Sequence, residues 1–236
     1  MAYAELGHKF EKDFEYSNNV QQADVYIRMG FLRKLYSILA VQLVMTVATG
    51  TIMFPFRSEI SIFILKNSFA PICLVLASFA LLIAMYAKRY ESPVNLILLF
   101  SFTIVESLIV GTVVVHFDSS LLLQALVITS AIVCGLTAYT MQSKRDFSSW
   151  GGLLGSLLLA LIVGGLTNLF FGSPALHLVL SIGGAAVFAC LLVYDTHLIM
   201  QRFSAEEYIA AAITLYLDII NLFLYILRIL QATDSQ

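Results

Sequence analysis

After residue 30 the chain is built from seven long apolar stretches separated by short polar breaks. They fall at 33–54, 69–87, 94–117, 121–141, 151–171, 175–199 and 208–230. An α-helix needs about 20 apolar residues to cross a hydrocarbon core, and each stretch is near or above that length. The breaks carry the residues that end helices. Pro55 and Arg57 close the first stretch, and Lys88, Arg89 and Pro93 separate the second from the third. Asp118-Ser119-Ser120 and Gly172-Ser173-Pro174 read as tight turns, and 142–149 and 201–207 as polar loops. The pattern predicts an all-α polytopic membrane protein. Residues 31–232 would form a seven-helix bundle, with a polar tail at 1–30 and a short C-terminal tail at 233–236. The tail has no positive stretch followed by a short apolar core, so it does not read as a cleavable signal peptide.

Composition removes the soluble alternative. Hydrophobic residues make up 60% of the 236 and charged residues 12%, against about 45–50% and 25% in an ordinary soluble domain. With 13 Lys+Arg and a net charge of −2 there is no basic face for nucleic acid. The placement of the cations predicts an orientation. Lys9, Lys12, Arg28, Arg33, Lys34, Lys88, Arg89, Lys144, Arg145 and Arg202 lie on one side of seven alternating crossings, and Arg57, Lys66 and Arg228 on the other. The N-terminus is therefore expected in the cytosol. The seventh stretch is the least uniformly apolar, which leaves re-entry to the cytosolic side as its alternative.

Of the 15 acids, Glu106, Asp195 and Asp218 alone fall inside apolar stretches. An ionisable group there costs several kcal/mol and is a functional candidate by default. Asp218 belongs to a row of Glu207, Ala211, Thr214, Asp218, Asn221, Tyr225 and Arg228, whose alternating four- and three-residue steps keep one helical face. Asp195 lies roughly 9 Å before the 201–207 loop and Asp218 roughly 16 Å after it, at about 1.5 Å per residue. If the two meet at about 4 Å, their repulsion of about 4 kcal/mol favours one shared proton and a pH-sensitive latch. The alternative is that both acids only hold helices together. Glu106, one turn after Thr103 and three after Asn95, lines the same interior or is a neutral packing carboxyl.

Other residues change the picture less. Cys73, Cys134 and Cys190 read as small packing residues, and no disulfide or metal spacing exists. His8, His116, His177 and His197 lie in the tail or near span ends and read as surface residues. Gly183-Gly184-Ala185-Ala186 permits close helix approach. Tyr194-Asp195 matches half of the intramembrane aspartyl protease signature, but Leu215-Tyr216-Leu217 stands where the other half needs Gly-x-Gly before Asp218. No span interior holds a Lys for a retinal Schiff base, and a cytosolic N-terminus is wrong for a seven-helix receptor. The expectation is a protein that is not an enzyme.

The sixth and seventh stretches carry a resemblance. Leu192-Val193-Tyr194-Asp195-Thr196, followed by Leu215-Tyr216-Leu217-Asp218-Ile219-Ile220-Asn221-Leu222-Phe223, resembles the Bax inhibitor family, also called TMBIM or lifeguard proteins. Supporting matches are residues 26–34, Gly135-Leu136-Thr137 and Lys144-Arg145-Asp146-Phe147. The short tail and the absence of a basic C-terminus fit the family's Golgi anti-apoptotic, lifeguard-type branch. The resemblance implies six helices around a central seventh, and a cation leak that lowers stored Ca²⁺ and inhibits apoptosis. It implies a proton-sensitive gating dyad at Asp195 and Asp218, which would also meet Ca²⁺. It further implies a latch at the end of the second span, here Lys88 or Arg89. Lys lacks the planar two-pronged contact of Arg. Glu106, Glu207, Asn221 and Thr214 are the candidate ion path, since Ca²⁺ prefers oxygen ligands. No cofactor is expected beyond Ca²⁺ as transported ion. The expected surroundings are a Golgi membrane first and the endoplasmic reticulum next. The expected partners are the lipid bilayer, Ca²⁺ and H⁺, with cell-death regulators, other Ca²⁺ channels or a second copy of the chain as protein partners. The competing reading is a non-conducting membrane protein that regulates cell-death factors or other Ca²⁺ channels.

Overall fold

A computed structural model describes Val20, Ala23 and residues 25–234. The tail at 1–19 and the last two residues lie outside the described residues. The helices are α1 (Val25–Met53), α2 (Arg57–Lys66), α3 (Phe69–Ala87), α4 (Val94–Val114), α5 (Ser119–Gln142), α6 (Gly151–Phe171), α7 (Pro174–Arg202) and α8 (Tyr208–Asp234). No strand occurs among the described residues. Helices satisfy every backbone N–H and C=O internally, which a hydrocarbon core demands. Among the described residues, seven helical segments are long and apolar enough to cross a membrane.

Two boundaries differ from expectation. Helix α1 begins at Val25, so the last residues expected in the tail are already helical. Pro55 does not end the structure either. It sits at the start of a 3-10 turn, Phe54–Phe56, after which α2 resumes at Arg57. A first-turn proline loses no hydrogen bond, so helix replaces most of the expected loop. Elsewhere the punctuation acts as read. Gly172 closes α6 in the left-handed conformation, φ 59°, with its N–H on the Asn168 carbonyl at 2.8 Å. Ser173 caps α7 by accepting from the Leu176 N–H, with Pro174 at the first helical position. Helix α8 runs unbroken for 27 residues, without the turn that re-entry requires.

The most extensive packing joins α7 to α8, and α8 also packs on α1, α5 and α4. Helix α3 leans on α4, and α6 on α7. Within its most apolar window α8 is 72% buried, against 39% for the next most buried helix, α4. Ile213, Leu215, Tyr216, Leu222 and Leu227 of α8 meet Phe102 and Leu99 of α4, Leu35 of α1 and Leu192 of α7 in one core. Large apolar side chains such as Leu65, Phe69, Leu169, Phe170 and Val179 cover the outside, as a lipid-facing surface requires. Cys73 and Cys134 are on that outer face and Cys190 is partly buried. A thiol is apolar enough to face lipid.

Candidate functional site: an aspartate pair and a polar layer

The α7–α8 seam brings Asp195 and Asp218 together. Their carboxyl groups lie close enough to interact directly across the seam. Asp218 is 5% exposed, and its Oδ2 has no N–H or O–H donor around it. The register is fixed two turns away, where Phe188 stacks on Tyr225 with ring centroids 5.6 Å apart. The unequal depths counted from the sequence are absorbed by the loop, because α7 continues to Arg202 and α8 starts only at Tyr208. Gly184 lies under Tyr225, and any Cβ there would collide with the ring. The small-residue patch thus serves close approach of the two helices that carry the pair.

A second polar group, of which only Thr103 figured in the expectations, ties α8 to α1 and α4. The Tyr216 hydroxyl meets Thr46 Oγ1 at 2.8 Å, and Thr46 meets Ser107 Oγ at 3.1 Å. Gln42 Nε2 donates to Thr103 Oγ1 at 3.0 Å. Gln42, Thr46, Thr103, Ser107 and Tyr216 are all buried. The one available sequence signal was the four-residue spacing of Gln42 to Thr46 and of Thr103 to Ser107, which puts each pair on one helical face. Glu106 adjoins this layer, and its carboxylate accepts from the Ser78 hydroxyl of α3. Its partner is thus on α3, away from the α7–α8 seam.

The remaining path and latch candidates sit as follows. Thr214 Oγ1 donates to the Ala210 carbonyl and Asn221 Nδ2 to the Leu217 carbonyl, so both fold onto their own helix. Glu207 is at the end of the bundle. One oxygen accepts from the Ser204 N–H at 3.0 Å and closes the turn that precedes α8. The other accepts from the Tyr90 hydroxyl at 2.9 Å and faces Arg89 Nη2 at 3.8 Å. Lys88 pairs with Glu91 at 2.7 Å. The two latch candidates therefore engage loop carboxylates in this structure. Among the described residues no group of three or more His, Cys, Asp or Glu could hold a metal ion. Ca²⁺ takes six to eight oxygens in a resident site, and the aspartate pair alone does not supply them.

Residues 28–235 match the family described as inhibitor of apoptosis-promoting Bax1. The chain belongs to the Bax inhibitor family. It is 45% identical over 226 residues to protein lifeguard 4 of Mus musculus, covering 96% of this chain and 94% of that protein. It is 42% identical to the Golgi anti-apoptotic protein of vaccinia virus (strain Lister), covering 96% and 95%. It is 38% identical to Bax inhibitor 1 of Schizosaccharomyces pombe, covering 92% and 82%. It is a multi-pass membrane protein, as its seven apolar helices require.

One histidine of this Bax inhibitor family chain corrects the expectation that all four lie on the surface. His197 is 8% exposed, and its Nε2 is 3.0 Å from Asp146 Oδ1. The α5–α6 loop folds over it, with Phe147 edge-on to His197, Tyr139 and Trp150. Asp146 itself is exposed. The Ser148 backbone N–H, then the Ser148 hydroxyl and His197, hold its carboxyl below the usual carboxylate range.

Proposed function

We propose that the protein is a pH-modulated Ca²⁺ leak pathway of an intracellular membrane, Golgi first, with its N-terminus in the cytosol, and that it restrains apoptosis by lowering stored Ca²⁺. The observation that carries the reading is the approach of Asp195 on α7 to Asp218 on α8, the most buried of the described helices. With one proton the pair holds α7 against α8. Without it, two carboxylates at about 4 Å repel by about 4 kcal/mol and attract a cation instead. Oxygen ligands suit Ca²⁺, and a site of few ligands lets the ion leave as well as enter. The Golgi anti-apoptotic protein of vaccinia virus, at 42% identity, supports the Golgi setting and the anti-apoptotic outcome by its name.

The test is Ca²⁺ release from liposomes holding the purified protein, read across a pH series with Asp195→Asn, Asp218→Asn and the double variant. A leak that depends on pH in the wild type and loses that dependence in the variants supports the reading. No leak in the wild type supports the non-conducting regulator instead, and a matching counterflow of H⁺ means exchange rather than leak.

A further inference from the structure

A cavity of about 650 Å³ opens at the end of the bundle where α1 begins, bounded also by the α3–α4 and α7–α8 loops. Arg33, Lys34 and Arg89 line it, with Tyr90, Tyr208 and the carboxylate of Glu206. The cations are held by rings more than by acids. Lys34 Nζ lies 5.2 Å from the centre of the Tyr208 ring, and the Arg89 guanidinium 4.8 Å from that of Tyr90. The acid nearest Arg89 is Glu207, at 3.8 Å. Arg33 has no acidic partner among the described residues. The Arg89 loop is pinned from below, because buried Asn95 donates to the Arg89 carbonyl at 3.0 Å.

We infer that this cavity binds a phosphorylated polyol headgroup of the phosphoinositide class. Three cations face one carboxylate on its wall, and guanidinium and ammonium groups together suit several phosphate oxygens. The volume lies within the range of small-ligand sites and exceeds what a lone inorganic ion needs. Tyr26 and Met29 of α1 also line the cavity and are 79% and 52% exposed, which opens it toward the bilayer interface. A basic pocket between helices at the cytoplasmic end of a bundle is where anionic headgroups are held, and this is the end that the Lys and Arg bias assigns to the cytosol. The site does not depend on the ion-leak reading, since it is separate from the aspartate pair.

Native mass spectrometry of the full chain with phosphatidylinositol bisphosphate, phosphatidylserine or phosphatidylcholine tests this, with inositol trisphosphate as a soluble competitor. The expected result is one phosphatidylinositol bisphosphate per chain, preferred over both other lipids. Arg33→Gln with Lys34→Gln should weaken it by about tenfold or more. Lys144→Gln with Arg145→Gln, the same charge change on the exposed α5–α6 loop, should leave it unchanged. Thermal unfolding of both variants checks that they fold. Displacement by inositol trisphosphate assigns the site to the headgroup from either source, and retention of the lipid against it assigns the site to the membrane-bound form. Equal binding of phosphatidylserine, or equal loss in both double variants, overturns the inference.

Discussion

Asp195 and Asp218 face each other in the same antiparallel register as Phe188 and Tyr225, two helical turns deeper along the α7–α8 seam. The aromatic stack needs Gly184, and the stack in turn sets the height at which the two carboxyls meet. Packing and chemistry on this seam are therefore one problem. A change that separates the helices at Tyr225 also disturbs the pair.

Gly184→Ala tests that link. Its methyl would collide with the Tyr225 ring, and overpacking of this kind costs about 1–3 kcal/mol. Thermal unfolding in detergent should show the loss, and adding Tyr225→Leu should recover part of it. Additive losses in the double variant would mean that the two residues do not share this contact.

Tyr216→Phe removes the hydroxyl that meets Thr46 and leaves the ring in the core. The expected cost is about 1 kcal/mol, the size of one hydrogen bond between buried helices. Thr46→Val should cost a similar amount. The double variant should cost less than the sum, because both single changes remove the same Thr46–Tyr216 hydrogen bond.

Glu207→Gln separates two roles. The amide oxygen can still accept from the Ser204 N–H, and the new NH2 can donate to the Tyr90 hydroxyl oxygen where the carboxylate accepted from it, so the stability is expected to survive. Glu207→Ala should cost about 1 kcal/mol through the lost hydrogen bonds from Ser204 and Tyr90. A fall in Ca²⁺ flux with the Gln variant at full stability would place the charge of Glu207 on the ion path, and an unchanged flux would leave it a structural residue of the α7–α8 loop.

The Asp146–His197 contact gives a pH dependence with a definite sign. The Asp146 carboxyl is held below its ordinary value, by Ser148 first and then by His197. Its contribution is complete above the unfolded carboxylate value of about 3.9 and disappears as pH falls through the folded value. Asp146→Asn should therefore lower the unfolding temperature at neutral pH and leave it unchanged in strong acid. An equal loss at both pH values would mean that charge has no part in the contact.

The spans were legible because about 20 unbroken apolar residues have few other uses, and the aspartates because acids are rare in such runs. The polar layer was not. Thr, Ser and Tyr are unremarkable on an apolar helix, and only the fold shows that Thr46 and Tyr216, 170 residues apart, share a hydrogen bond. Helix α2 was hidden because Pro55 reads as a terminator, whereas a first-turn proline is tolerated. His197 stands near a span end and reads as exposed until the α5–α6 loop is seen to cover it.

Ca²⁺ release from loaded liposomes, compared between wild type and the Asp195→Asn/Asp218→Asn double variant over a pH series, tests the central claim most directly. The expected result is a wild-type leak whose rate changes with pH and a double variant whose rate does not. A wild type and double variant with the same pH dependence would contradict the assignment of the pair as the gate.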